Sequence, residues 1–307
     1  MNSSELDNLE YLNTLRIKLY NSKEYSTGTS IENFKKLIAN KKILEALKHI
    51  YIHYRIKGLS KITKNDEKVA ILDNTFDLNN KRIVVYTCIT GNYDNVLEPL
   101  FPSKDIDYFL FTDTQKQVDK NSKWQIKSID NLNIDSFSHS EKNRYLKLNP
   151  NKIFKDNYDY SIYIDGNIQV VLNPKVLINR INPKYGIALH KHRCRNDIYT
   201  EYKVCKLLNK GNKINLNKQI EKYKKENFPS QYGMAEANVI VTDLKNEFSS
   251  HLFSDWWDEY ISSKSGRDQM SLPYVLWKNN IKVSEISTLG DNIYKNPLFF
   301  INIHKES

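Results

Sequence analysis

The sequence predicts an α/β fold with a mostly parallel central sheet, preceded by a helical N-terminal extension. Three observations carry this. Short β-branched and aromatic runs recur after Lys81, most of them ended by Gly, Asn or Asp. Stretches with three- to four-residue apolar periodicity lie between several of them. Residues 1–80 show helical periodicity alone, with no compact motif. Short apolar strands alternating with helices are the pattern of a sheet covered by helices.

In the extension, SIENFKKLIANKKILEALKHIYIHYRIKGL places Ile31, Phe34, Leu37, Ile38, Ile43, Leu44, Leu47 and Ile50 at helical spacing. Ser30 is the expected cap and Gly58 the expected end. Such a helix packs on the main body or lies on a membrane surface or a partner. Residues 60–80 read as a polar loop. KRIVVYTCIT is then the first strand, DYFLFTD (107–113) the second and YSIYID (160–165) the third. YGIALH (185–190), ANVIVTD (237–243) and KVSEIS (282–287) follow. Helical patterns fall around 141–148, 246–263 and 267–280.

A chain of 307 residues holds one large domain or two small ones. The division expected here is 1–80 as extension and 81–307 as the main domain. With 46 Lys+Arg against 36 Asp+Glu the net charge is +10, which favours anionic partners. Lysines crowd residues 203–225, as a solvated face or as a patch for anionic lipid or polyanionic glycan. Aromatics do not interleave there, which argues against nucleic acid. The three cysteines contain no CxxC, which excludes a zinc ribbon and suits a reducing compartment. The first residues lack a signal peptide's basic and apolar regions, and no 18 apolar residues run together. A cytoplasmic protein is expected, with peripheral contact at the inner face of an anionic membrane as one option. The richness in Asn, Lys and Ile reads as the trace of an AT-rich bacterial genome.

In parallel sheets ligands bind beyond the carboxyl ends of the strands. YIDGNIQV (163–170) delivers Asp165 and Asn167 to such an end, either as oxygen ligands for a hard cation on a diphosphate or as a plain Asx turn. In ITGNYDN, Gly91 lets backbone approach a ligand and Tyr93 is able to stack on a base; GxGxxG and GxxxxGK[ST] are absent. Arg144 and Lys147 lie three apart on one helix face, to meet phosphates or solvent. HKHRCRNDIYTEY offers His190 and His192 on one strand face, with Arg193, Asp197, Tyr199 and Glu201 as substrate contacts or a satisfied polar loop. Asp268 opens a helix, either as its cap or as a general base kept ionised by the helix dipole; Asp268→Asn is then expected to leave stability almost unchanged. If Asp268 is only a cap, the base is to be sought around Asp197, Glu201 or Glu236. His304 is a late ligand or a frayed tail.

Taken as an ordered set, VVYTCITGNYDN, YFLFTD, RYLK, YSIYIDGNIQV, ALHKHRCRNDIYTE and RDQMSLPYVLWK resemble a glycosyltransferase-like family of uncharacterised domains. That family occurs in plant mucilage-related hexosyltransferases and in bacterial surface-polysaccharide loci. The resemblance covers residues 82–304 and implies a GT-A-like, nucleotide-sugar-binding α/β sandwich. It implies Mn²⁺ or Mg²⁺ on the donor diphosphate, held by Asp165, Asn167 and His304, with Asn in place of the second DxD carboxylate. It further implies that Thr90, Gly91, Tyr93 and Asp113 line the nucleoside pocket and that Arg144 and Lys147 face the phosphates. Asp268 would be the catalytic residue, a helix-borne carboxylate near the acceptor. His190, Arg193, Tyr199, Glu201, Glu236 and Gln269 would contact the acceptor.

The function expected is transfer of a sugar, a hexose, from a nucleotide diphosphate sugar to a glycan or lipid-linked acceptor, with UDP-sugars foremost among donors. Two other classes stay open: a metal-dependent hydrolase using Asp165, His190 and His192, and a non-catalytic nucleotide- or carbohydrate-binding scaffold.

Overall fold

The computed structural model describes residues 14–16, 18–19, 22–62, 72, 74–113, 120–302 and 304. Residues 63–71 and 73 of the stretch expected as a polar loop, and residues 1–13 at the N-terminus, lie outside them, while 60–62 of that stretch are helical.

Strand β1 (Ile83–Cys88) is buried at every position because its alternate side chains enter two different cores. Val84, Tyr86 and Cys88 face one; Ile83 and Val85 face the other. Around β1 lie β2 (Ile106–Thr112), β3 (Trp124–Ser128), β4 (Tyr160–Ile164), β6 (Ile187–Lys191) and β7 (Ala235–Asp243), in the order β3-β2-β1-β4-β7-β6. Strands β3, β2, β1 and β4 run parallel, while β7 is antiparallel to both β4 and β6. A second, two-stranded sheet pairs β5 (Ile168–Val170) with β8 (Phe299–Ile301).

Helices α3 (His139–Leu148), α7 (Glu247–Ser263) and α8 (Asp268–Lys278) supply Leu146, Trp256 and Leu272 to the larger core. Helices α4 (Pro150–Phe154), α5 (Ile198–Leu207) and α6 (Lys213–Lys225) complete that side.

Some local expectations need correction. KVSEIS is not a strand: α9 (Val283–Ile286) forms there, because Val283 and Ile286 are buried at helical spacing and Glu285 accepts the Lys282 N–H at 2.8 Å. The N-terminal periodicity makes two helices, α1 (Lys23–Ala39) and α2 (Ile43–Ile62), split where Lys41 takes φ 59°. Ser22, not Ser30, caps α1 by accepting the Tyr25 N–H at 3.1 Å, and α2 passes through Gly58 without ending. The helices pack on each other, and α2 also meets α5. Strand β3 escaped the pattern because, at the sheet edge, only Trp124 of its five residues is buried. Strands β5 and β8 are three residues each, too short for a periodicity.

Candidate active site

The carboxyl ends of β1, β2 and β4 deliver Thr90, Asp113 and Asp165 to one edge of the sheet. Because β7 runs the other way, its beginning reaches the same edge: the Asp165 N–H donates to Asn238 O at 2.9 Å. Glu236 thereby joins the residues beyond β4.

Two cavities open there. The larger, about 640 Å³, is lined by Thr90, Gly91, Tyr93, Asp94, His139 and Asp165 among others. Asp113 shapes its wall by accepting the Gly91 N–H at 2.9 Å and pairing with His139 Nδ1 at 2.6 Å. The His139 ring lies so close over Gly91, at φ 59°, that a Cβ there would meet it at 2.9 Å. Thr90 Oγ1 donates to His139 O at 2.7 Å, and Tyr93 is 61% exposed at the rim. The smaller cavity, about 330 Å³, is lined by His192, Arg193, Arg195, Glu236, Gln269 and Tyr294 among others. Arg144, Asp165, Lys210 and Arg267 line both.

Arg144 and Lys147 are a turn apart on α3, and both are claimed by Asp268. Arg144 Nε donates to Asp268 Oδ1 at 3.0 Å. Lys147 Nζ lies 2.8 Å from Oδ2, an ion contact by distance, and 3.5 Å from Asp165 Oδ1. Tyr163 OH donates to Asp165 at 3.0 Å. Burial pushes the Asp268 carboxyl up, but Arg144 and Lys147 outweigh it and hold it well below the usual carboxylate range. Asp268 is therefore not the cap: Arg267 holds that position, and the charge of Asp268 is fixed by two cations. A carboxylate so engaged is a weak proton acceptor, which counts against Asp268 as base. Lys147, with 3% of its side chain exposed, faces Asp268 rather than open solvent.

The expected metal ligands are engaged separately. His304 Nδ1 pairs with Asp94 at 3.0 Å, and the Asn167 amide donates to Asn302 O at 2.9 Å. Asp165 is shared by Tyr163 and Lys147. Among the described residues no three His, Cys, Asp or Glu side chains converge as a metal would require. As arranged, the donor set does not fit a divalent ion, and the chemistry is read from side chains alone.

Of the expected acceptor contacts, Arg193, Glu201, Glu236 and Gln269 line the smaller cavity. His190 does not: it is fully buried after a bulge in β6, bonded to Asn296 at 2.9 Å, and burial lowers its pKa to about 3. Tyr199 donates to Phe228 O at 2.7 Å, and Asp197 caps α5 through the Thr200 N–H, so these two are fold contacts. Burial, with Arg195 beside it, lowers His192 to about 4; its Nδ1 accepts the Cys194 and Arg195 N–H groups. Glu201 accepts Arg195 Nε at 2.6 Å; burial raises its carboxyl, but Arg195 outweighs this and keeps it low. Glu236 differs. It takes the Arg193 N–H at 3.0 Å and the Ile293 N–H at 3.5 Å, has no ion pair among the described residues, and burial pushes it up to about 7.

Lys210, Arg267, Arg195, Asp94 and His139 line or shape the site without having been assigned a role from the sequence. Lys210 was hidden in a lysine-rich run, and Arg267 carried no signal beyond standing before Asp268.

The chain belongs to the TOD1/MUCI70 glycosyltransferase-like domain family. The family model matches residues 55–299. A curated member, the probable hexosyltransferase MUCI70 of Arabidopsis thaliana, is 25% identical over 219 residues, 63% of this chain and 37% of that protein. The chain thus spans little more than a third of that relative. Among solved structures, mouse xyloside xylosyltransferase 1 overlaps 65% of this chain and 82% of its own at 9% identity and TM-score 0.39. The WbbM bifunctional glycosyltransferase overlaps 82% and 46% at 15% identity and TM-score 0.40. The galactosyltransferase LgtC, solved with donor and acceptor sugar analogs, overlaps 62% and 69% at 13% identity and TM-score 0.39. The family is fixed by the sequence match.

Proposed function

We propose that the protein is a glycosyltransferase moving a hexose from a nucleotide diphosphate sugar, a UDP-sugar foremost, to a hydroxyl of a glycan or lipid-linked acceptor. The observation that carries this is the pair of cavities sharing Arg144, Asp165, Lys210 and Arg267. The larger takes the nucleoside between Thr90, Gly91, Tyr93 and Asp113. The shared wall takes the diphosphate. The smaller takes the transferred sugar and the acceptor, beside Arg193, Glu236 and Gln269. Both volumes lie within the roughly 300–1,000 Å³ of ligand sites.

In the reaction the acceptor oxygen bonds to the anomeric carbon while the bond from that carbon to the diphosphate oxygen breaks. The nucleoside diphosphate leaves with the electron pair, and the cations of the shared wall offset its growing charge. The acceptor proton goes to Glu236, whose pKa of about 7 suits a base near neutral pH. Asp268 holds Arg144 and Lys147 in place.

The setting we propose is bacterial surface-polysaccharide synthesis, at the cytoplasmic face of the membrane. An exposed stripe on α2, Leu44, Leu47, Tyr51 and Tyr54 at 3-4-3 spacing, supports a peripheral contact, with Lys48 and Lys57 on the same helix. No helix among the described residues is long and apolar enough to cross a membrane.

The test is nucleotide release from a panel of nucleotide sugars, with and without acceptor, and the mass of the product. Release that requires acceptor and yields a hexose-bearing product is expected. Release of free sugar alone would mean hydrolysis, and binding without turnover would mean a scaffold.

A further inference from the structure

We propose that Lys210 and Arg267, and not Arg144 and Lys147, grip the donor's diphosphate, as an anion clamp of side chains standing where a metal was expected. The inference rests on the glycosyltransferase reading for the identity of the anion, and on the following geometry for its place.

The loop after α5 and the loop before α8 are locked together. Asn212 N–H donates to Ser265 O at 2.9 Å, and Asn215 Nδ2 donates to Lys264 O at 2.9 Å. Gly211 makes the approach feasible. Its φ is 75°, and a Cβ there would meet Ser265 O at 2.5 Å and Arg267 Cγ at 2.9 Å. Lys210 and Arg267 are thereby set side by side on the wall common to both cavities.

Their state of pairing differs from that of the α3 cations. Asp268 engages Arg144 at 3.0 Å and Lys147 at 2.8 Å, and Lys147 is 3% exposed. Lys210 makes no ion pair among the described residues and is exposed. Arg267 is held loosely: Glu201 lies at 3.8 Å and Gln269 at 3.5 Å, and its remaining partner is the weakly accepting Cys205 thiol. Its Nε is buried with no hydrogen-bond partner, a donor left unsatisfied. Two loosely held cations beside a buried unmet donor suit a multivalent oxyanion. With His304 paired to Asp94, Asn167 bonded to Asn302, and Asp165 shared by Tyr163 and Lys147, the wall offers Lys210 and Arg267 as the counter-charge to a diphosphate.

Calorimetric binding of inorganic pyrophosphate, and in parallel of UDP and UDP-sugars, tests the clamp on the full chain in EDTA. Pyrophosphate should bind the wild type without added metal. Lys210→Met and Arg267→Met should each weaken it about tenfold or more. Arg267→Lys should recover part of the loss, and Lys218→Met, on the outer face of α6, should change nothing. Lys210 is exposed, so its variant decides the matter if Arg267→Met fails to fold. Pyrophosphate binding that needs Mn²⁺ and ignores Lys210→Met overturns the clamp. UDP-sugars bound with unchanged affinity by Lys210→Met overturn it too, and leave the donor reading standing. Pyrophosphate bound through Lys210, with no nucleotide sugar bound at all, keeps the anion site and removes the donor reading.

Discussion

Arg144 Nε and Asp268 Oδ1 meet at 3.0 Å across 124 residues of chain, joining the start of α8 to the middle of α3. With Lys147 on the same carboxylate, the contact makes a buried triad of two cations and one anion. Breaking a buried pair by removing one partner leaves a charge without compensation.

Asp268→Asn is therefore expected to destabilise the protein by about 3–5 kcal/mol, read as a lower urea midpoint. The folded-state pKa of this carboxyl lies below its unfolded value, so its contribution is present above about pH 4 and is lost as pH falls below that. The variant should lack that acid-limb loss. An unchanged midpoint would return Asp268 to an ordinary helix-start residue.

Glu236 has the opposite sign. Its folded pKa of about 7 lies above the unfolded value, so the native state keeps a proton that the unfolded state has shed. This residue costs stability increasingly between about pH 4.5 and 7, on the order of 3 kcal/mol at the upper end. Glu236→Gln should flatten stability across that window. It should also lower kcat by about two to four decades with donor affinity kept. Wild-type turnover in the variant would remove Glu236 as the base.

Gly211→Ala should be unfavourable beyond the loss of its φ of 75°, because the added methyl collides with Ser265 O. About 1–3 kcal/mol of destabilisation is expected. Pyrophosphate affinity should fall with it, since the Arg267 stem lies beside the same Cβ position. Gly290→Ala is the comparison: φ is 124° there, yet no atom lies within 4 Å of the new methyl. It should lower stability without touching pyrophosphate binding.

The exposed stripe on α2 gives a membrane prediction. Flotation with anionic vesicles should exceed that with neutral vesicles and weaken at high salt, where charges are screened within a few ångströms. Leu44→Asp, at a position 83% exposed, should abolish flotation without loss of fold. Equal flotation on both vesicle types would leave the lysines as a solvated face.

The sequence by itself determined most strands of the central sheet. The runs at 83–88, 106–112, 160–164 and 235–243 are buried on both faces, and each carries the apolar stretch that such burial demands. It also determined which strand ends carry Thr90, Asp113 and Asp165, because turn residues follow each run, and the family match spans these segments. It did not determine that β7 runs antiparallel, since periodicity carries no direction, so Glu236 was a late acid with no assigned edge. KVSEIS shows the limit for short elements: Val283 and Ile286 fit a strand or a turn of helix until burial selects one. Pairing was least legible of all. Asp268 reads as a cap by its position, and only the approach of α3 turned it into the counter-ion of Arg144 and Lys147. Lys210 reads as one lysine among many until two glycine-containing loops set it beside Arg267. Charge and identity are local and legible in a sequence; desolvation and the partner of a charge depend on what folds against it, and these decide which side chains remain available for chemistry.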